Sequence, residues 1–145
     1  MQSEIEILLV EDNMDDAELT IRAIKKNKIA NNIIHLKDGA AAIDFLFGQG
    51  EFDNRDILNK PKVILLDLKM PKIDGMEVLD KIKTNDLTKA IPVVVLTSSK
   101  EGPDVEKAYA LGANSYIVKP VDFDGFIKAI YEIGLYWLIL NQNQK

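Results

Sequence analysis

Short apolar runs alternate with longer amphipathic stretches five times along the chain. Residues 5–10, 63–67 and 93–96 are apolar with little alternation, which is typical of strands buried on both faces of a parallel sheet. Weaker runs at 32–36 and 115–118 complete the set. The pattern therefore predicts five strands.

The stretches between these runs have the spacing of helices. Ala17, Ile21 and Ile24 form one apolar stripe within residues 15–26. The other helices are predicted over 39–47, over 75–83, from near Pro103, and as a long last helix from about Asp122. Five βα units in series favour an α/β fold, a doubly wound five-stranded parallel sheet with helices on both faces.

Length and connections indicate a single domain. The 145 residues suit one domain better than two, and no repeat or linker interrupts them. We therefore expect one domain over residues 1–145. One connection, residues 48–62, is longer than usual, and loops of that kind are often functional or mobile.

Composition and charge exclude several classes of function. Lysine and arginine number 18 against 23 acidic residues, a net charge of −5, and Arg22 and Arg55 are the only arginines. This balance argues against binding to nucleic acid. The lack of cysteine and the single histidine exclude disulfides, thiol catalysis and Cys/His zinc clusters. A bound metal would need oxygen ligands, which favours Mg²⁺ or Ca²⁺.

The sequence predicts neither a secretory signal nor a membrane segment. Residues 1–10 contain two glutamates and no basic residue, unlike a signal peptide. The most apolar run, residues 133–140, is far shorter than the roughly 20 residues that a membrane helix needs. We therefore expect a cytoplasmic protein that does not contact a membrane.

Candidate chemistry lies where the predicted strands end. Glu11 and Asp12 follow the first strand, and Asp67 ends the third. Thr97 follows the fourth strand and Lys119 the fifth. Ligands of doubly wound sheets bind outside the carboxyl ends of the strands, so these side chains are predicted to meet.

Converging carboxylates repel each other, and a divalent cation relieves the repulsion. An aspartate beside such a cation is a candidate nucleophile toward a phosphoryl group, whose oxygens Lys119 and Thr97 would contact. Taken singly, Glu11 and Asp12 also fit a solvated turn, and Asp67 fits a turn cap. Thr97 and Lys119 likewise fit an ordinary cap and a surface lysine. Their joint occurrence at the strand ends favours a site.

The chain resembles the receiver domain of two-component response regulators in four ordered segments, ILLVEDN, VILLDLKMPKIDGMEVL, VVVLTSS and GANSYIVKP. The resemblance covers nearly the whole chain. It implies the flavodoxin-like fold with strand order 2-1-3-4-5. It also implies a signalling switch that catalyses only its own phosphorylation and dephosphorylation, not an enzyme with a separate substrate.

The same resemblance implies the roles of the acidic residues. Asp67 would be the phospho-acceptor. Mg²⁺ would be bound by Asp12 directly, with Asp67 as a further ligand, and by Glu11 through water. The backbone carbonyl of Lys69 would complete the protein ligands.

It also implies the parts of a switch. Thr97 would be the switch hydroxyl, Lys119 the phosphate partner, and Tyr116 the aromatic residue that changes rotamer as Thr97 moves. The bond between Lys119 and Pro120 is expected to be cis. Lys69 and Ser99 would flank the acyl phosphate, and the sequence leaves open whether Lys69 shields the phosphate or orients an attack on it.

The expected partners are proteins. A receiver would take its phosphoryl group from a sensor histidine kinase or a phosphotransfer protein. His35 lies on a predicted strand and is expected to be an ordinary half-buried side chain, so the donor is another molecule. The short stretch after Pro120 leaves no room for an output domain, so the message would pass to a target in trans. The 48–62 loop and the YWL segment at 136–138 are similar to small stand-alone regulators that pair with phytochrome-type kinases.

The last predicted helix suggests a further interface. Its main stripe includes Phe126, Ile130 and Trp137, yet Tyr131, Leu135 and residues 138–140 occupy other faces. A helix that is apolar all round needs a second partner, which predicts a homodimer or a kinase-docking surface. The alternative is that residues 138–140 fold back onto the same domain.

Three other functions fit the pattern less well. A phosphohydrolase of the haloacid-dehalogenase type would place a second aspartate two residues after Asp67, where Lys69 stands. A flavodoxin-like FMN carrier would need a Ser/Thr/Gly loop after the first strand, where this chain is acidic. A degenerate receiver that serves only as a scaffold would lack a required residue, and none is missing.

Overall fold

A five-stranded parallel sheet forms the centre of the fold. The computed structural model describes residues 7–25, 32–70, 72–98 and 103–135. The sheet has the order β2-β1-β3-β4-β5, which confirms the predicted fold class and strand order. Its strands are β1 (Ile7–Val10), β2 (Ile33–Leu36), β3 (Val63–Asp67), β4 (Val93–Thr97) and β5 (Ser115–Val118).

Helices cover both faces of this sheet, as predicted. They are α1 (Met14–Lys25), α2 (Gly39–Phe47), α3 (Gly75–Thr84), α4 (Pro103–Ala110) and α5 (Phe123–Glu132). Side chains of α2, α3 and α4 pack on one face, and those of α1 and α5 pack on the other. In the described part of the chain, no helix is both long enough and apolar enough to span a bilayer.

The central strands are buried on both faces. Within β1, Leu8 and Val10 face the α2–α4 side, whereas Ile7 and Leu9 face α1 and α5. Strands covered in this way have no polar face, which is why the sequence pattern shows apolar runs without alternation.

Polar caps fix the turns that lead from strand to helix. The caps of α2, α3 and α5 are Asp38, Asp74 and Asp122, and each carboxylate accepts a hydrogen bond from the backbone N–H three residues on. Asn13 does the same for α1, because its Oδ1 accepts from the N–H of Asp16 at 2.9 Å. The residues at the strand ends are therefore held close to well-defined helix starts.

The last helix ends earlier than the sequence pattern predicts. α5 stops at Glu132 because Gly134 adopts a left-handed conformation, with φ +80°. The N–H groups of Gly134 and Leu135 donate to the carbonyls of Tyr131 and Ile130, which closes the helix C-terminus. Leu135, expected on an outer face, packs against the core of its own domain.

Part of the dimer prediction falls outside this structure. Trp137 and residues 138–140, on which that prediction largely rested, lie outside the described residues. Within the described part of α5, Phe126 and Ile130 are buried as the stripe predicted. Tyr131 is 55% exposed, so one large side chain of the helix remains on the surface.

Candidate functional site

Three carboxylates meet at the carboxyl ends of neighbouring strands. Glu11 follows β1 and is fully buried, while Asp67 ends β3 and is 2% exposed. Asp12 is exposed. One oxygen from each lies within 4.8 Å of the others. The predicted convergence of these residues is therefore observed.

Lys119 completes this cluster. Its ammonium nitrogen lies 3.2 Å from Glu11 Oε1 and 3.5 Å from Asp67 Oδ2, and its side chain is 18% exposed. The peptide bond to Pro120 is cis, as expected. The Lys119 N–H donates to the carbonyl of Thr97 at 2.7 Å, which ties the end of β5 to the end of β4.

Burial and the neighbouring negative charge of Asp67 shift the pKa of Glu11. Burial, together with the hydrogen bond and negative charge of Asp67, raises the pKa of Glu11 to about 8. The N–H of Asn13, 3.2 Å from Glu11 Oε2, and the charge of Lys119 act in the opposite direction. These two contacts therefore offset only part of the rise that burial and Asp67 cause.

Lys119 remains charged at neutral pH. Burial alone would lower its pKa, but the contacts with Asp16, Asp67 and Glu11 raise it to about 12. A permanent positive charge therefore lies beside the Asp67 carboxylate, where it can pair with an incoming anion.

The donor set fits a hard divalent cation. Oxygen ligands from two buried carboxylates and one exposed carboxylate are the type that Mg²⁺ prefers, and exposure at Asp12 leaves room for the waters that Mg²⁺ retains. The pKa of Glu11 is raised mainly by burial and in part by repulsion from Asp67, and a cation would relieve that repulsion. Lys69, whose carbonyl is the expected fourth ligand, lies in the same turn, and its N–H donates to Asp67 Oδ1 at 3.2 Å.

The side chain of Lys69 is directed to α4. Its ammonium nitrogen lies 3.1 Å from Asp104 Oδ2; the Lys69 side chain is largely exposed and that of Asp104 about half-exposed. The Lys69 ammonium is therefore paired with α4 and not with the carboxylates of the site. Ser99, the other residue expected to flank the phosphate, lies outside the described residues.

The two residues expected to form the switch lie on neighbouring strands. Thr97 is buried at the end of β4, and Tyr116 is half-buried on β5 opposite Val95. Tyr116 packs against the core on the α2–α4 side. Its ring meets that of Tyr109 on α4 edge to face, with centroids 6.2 Å apart. Tyr116 therefore connects β5 with α4.

The structure adds two residues that the sequence did not predict at the site. Asp16 Oδ2 lies 3.1 Å from the ammonium nitrogen of Lys119. His35 is half-buried as predicted, but its Nε2–H donates to the backbone carbonyl of Glu11 at 2.9 Å. The pairing of β1 with β2 could have placed His35 near the site. In this pairing His35 lies opposite Leu9, two residues before Glu11.

Known proteins are similar to this chain in both sequence and architecture. The response regulator receiver domain family matches residues 7–131. The probable methanogenesis regulatory protein FilR2 of Methanothrix harundinacea is 43% identical, over 94% of this chain and 86% of its own length. The response regulator Rcp1 of Synechocystis is 44% identical, over 91% of this chain and 88% of its own length.

Solved structures agree with the sequence matches. The bacteriophytochrome response regulator RtBRR is 47% identical, with a TM-score of 0.85 over 93% of this chain and 81% of its own. The Mn²⁺-bound form of Rcp1 has a TM-score of 0.74 at 43% identity, over 92% of this chain and 94% of its own. The predicted similarity to phytochrome-associated regulators is thereby confirmed. The chain belongs to the response regulator receiver domain family of two-component signalling.

Proposed function

We propose that the protein is a phosphoryl-accepting switch in which Asp67 receives a phosphoryl group from a sensor histidine kinase or a phosphotransfer protein. The observation that carries the proposal is the setting of Asp67. It is a buried carboxylate at a strand end, with oxygens of Glu11 and Asp12 within 4.8 Å and the Lys119 ammonium at 3.5 Å.

The two oxygens of Asp67 have different surroundings. Oδ1 accepts from the Lys69 N–H, which holds the carboxylate in place, while Oδ2 faces Lys119. We assign Oδ2 as the nucleophile: it forms the new P–O bond as the bond to the donor breaks. Lys119 would then pair with a phosphoryl oxygen.

Mg²⁺ fits the proposal as the cofactor. It would be held by Glu11 through water, by Asp12 and Asp67, and by the carbonyl of Lys69. When bound, it neutralises charge that builds up on the phosphoryl oxygens. Rcp1, which is similar to this chain, has been solved in a Mn²⁺-bound form, and this supports binding of a divalent metal.

The proposed output is a change at the surface formed by α4, β5 and α5. The Thr97 hydroxyl would hydrogen-bond a phosphoryl oxygen and move inward, and Tyr116 would follow it. The contact of Tyr116 with Tyr109 connects that movement to α4. Exposed side chains on this surface include Tyr109, Val118 and Tyr131.

The proposed partners act in trans. We infer that the single domain over 1–145 passes its message to another protein in the cytoplasm, without binding nucleic acid or membrane. A homodimer through the last helix is part of the proposal, supported by the exposure of Tyr131. The likeness to RtBRR, a bacteriophytochrome response regulator, supports a phytochrome-type kinase as the donor.

Incubation with Mg²⁺ and acetyl phosphate tests the proposed chemistry. We expect one acid-labile phosphoryl group per chain by intact mass, lost in Asp67→Asn and in EDTA. Asp53→Asn, the same change at an exposed position of the 48–62 loop, is the matched control and should remain phosphorylated. Full phosphorylation of Asp67→Asn would contradict the proposal, and steady turnover of phosphomonoesters would favour a phosphohydrolase.

A further inference from the structure

Lys119 is held by a carboxylate that does not belong to the candidate metal site. Its ammonium nitrogen lies 3.1 Å from Asp16 Oδ2, slightly closer than the 3.2 Å to Glu11 Oε1. Among the described residues, the carboxylates grouped closely enough to share one metal ion are Glu11, Asp12 and Asp67. Asp16 is therefore free to keep Lys119 as its partner when a cation occupies the other three.

The hydrogen bonds of Lys119 leave one direction for a new acceptor. An ammonium group has three N–H donors, and two are directed by the bonds to Asp16 and Glu11. Asp67 Oδ2, at 3.5 Å, lies beyond the usual N–H···O distance. The third N–H therefore faces the phospho-acceptor without a tight bond, where a phosphoryl oxygen would arrive.

Asp16 is a rigid anchor for this arrangement. It lies in the first turn of α1, where its N–H donates to Asn13 Oδ1 and its carbonyl accepts from the buried Thr20 hydroxyl, both at 2.9 Å. Its side chain is 34% exposed, so water partly screens the ion pair with Lys119. The two backbone hydrogen bonds hold the residue in place.

We propose that Asp16 is a positioning residue, which orients the Lys119 ammonium so that one N–H points at the place where the phosphoryl group forms on Asp67. The proposal rests on the proposed function of Asp67. A positioning role and a simple effect of charge predict opposite changes in phosphoryl binding when the Asp16 carboxylate is removed. If Asp16 acted only as a nearby negative charge, its removal would strengthen binding of an anionic phosphoryl group; if it positions Lys119, its removal weakens that binding.

Calorimetric titration with beryllofluoride at saturating Mg²⁺ measures whether removal of the Asp16 carboxylate weakens or strengthens this binding. We expect Asp16→Ala to bind beryllofluoride roughly 3- to 10-fold more weakly than the wild type, the range for loss of one partly exposed orienting contact. Asp16→Asn should lie between the two, because its amide oxygen still accepts from Lys119. Mg²⁺ affinity, measured separately, should stay within about two-fold because Asp16 is not in the metal group.

Asp15→Ala is the matched control, since Asp15 is an exposed acidic residue in the same helical turn. It should bind beryllofluoride like the wild type. Unchanged or tighter binding by Asp16→Ala would overturn the proposal, as would an equal loss of Mg²⁺ affinity, which would indicate a general disturbance of the β1–α1 turn. Failure of the wild type to bind beryllofluoride would instead contradict the proposed function of Asp67.

Discussion

At the scale of single residues, folding strongly shifts the pKa of Glu11. It is fully buried beside Asp67, and burial is the main reason that its pKa rises to about 8. Without a cation, the carboxyl is therefore largely protonated at neutral pH. A sequence can identify Glu11 as a candidate ligand, but its protonation depends on what surrounds it in the folded chain.

This raised pKa predicts a pH-dependent stability of the metal-free protein. Between the ordinary pKa of 4.5 and about 8, the folded state binds a proton at Glu11 that the unfolded state has released. This contribution therefore makes the free energy of unfolding fall as pH rises through that window. Thermal melts in EDTA should show the slope in the wild type and a smaller slope in Glu11→Gln.

Glu18→Gln is the control for this slope, because Glu18 lies exposed on α1 in an ion pair with Arg22. It should retain the wild-type dependence on pH. Equal slopes in Glu11→Gln and the wild type would mean that Glu11 titrates normally in the folded protein.

At the scale of elements, Arg55 and Phe52 hold the 48–62 loop against α2. Arg55 donates through Nε to the carbonyl of Phe45 at 2.8 Å, and its guanidinium lies 4.0 Å from the Phe45 ring centre. It also donates to the carbonyls of Asp56 and Asn59. A short 3₁₀ turn at Gly50–Phe52 brings the Phe52 ring edge-on to Phe45. The loop is thus packed on α2.

We expect Arg55→Lys to destabilise the fold by about 1–3 kcal/mol, because lysine cannot make the forked hydrogen bonds or the same stacking. Arg22→Lys, at the other arginine of the chain, changes only an exposed helical ion pair that lysine can still form with Glu18, and should cost at most about 0.5 kcal/mol. Urea denaturation measures both. Similar costs for the two variants would show that Arg55 does not anchor the loop.

At the scale of the whole molecule, the site and the proposed output surface share β5. β4 ends at Thr97, Lys119 directly follows β5, and β5 also carries Tyr116, which contacts α4. The contact of Tyr116 with Tyr109 joins this strand to α4, which borders the proposed output surface formed by α4, β5 and α5. The exposed Tyr131 on α5 lies on this surface.

The proposed homodimer can be checked by light scattering at increasing concentration, with and without Mg²⁺ and beryllofluoride. We expect a dimer that Tyr131→Glu weakens, because a charge would then be buried in an apolar contact. Leu58→Glu, at an exposed apolar side chain of the 48–62 loop, is the control and should remain dimeric. A monomer under every condition would exclude the dimer.

Several features of the fold follow from the sequence alone. The apolar run without alternation predicted β3 with its observed bounds, since burial on both faces leaves a purely local signature. The weaker run at 115–118 also predicted the bounds of β5, although Tyr116 and Val118 are only partly covered. The strand ends also identified Glu11, Asp12, Asp67 and Lys119 as neighbours, because parallel strands bring their carboxyl ends to one edge.

Tertiary structure alone decided the features that depend on distant contacts. The ion pair of Asp16 with Lys119 joins residues far apart in the chain, and in the sequence Asp16 is an ordinary acidic residue at a helix start. The same holds for the protonation of Glu11 and for the anchoring of the 48–62 loop by Arg55. Local patterns determine which elements form, whereas the charges and hydrogen bonds within the site depend on what folding places beside each group.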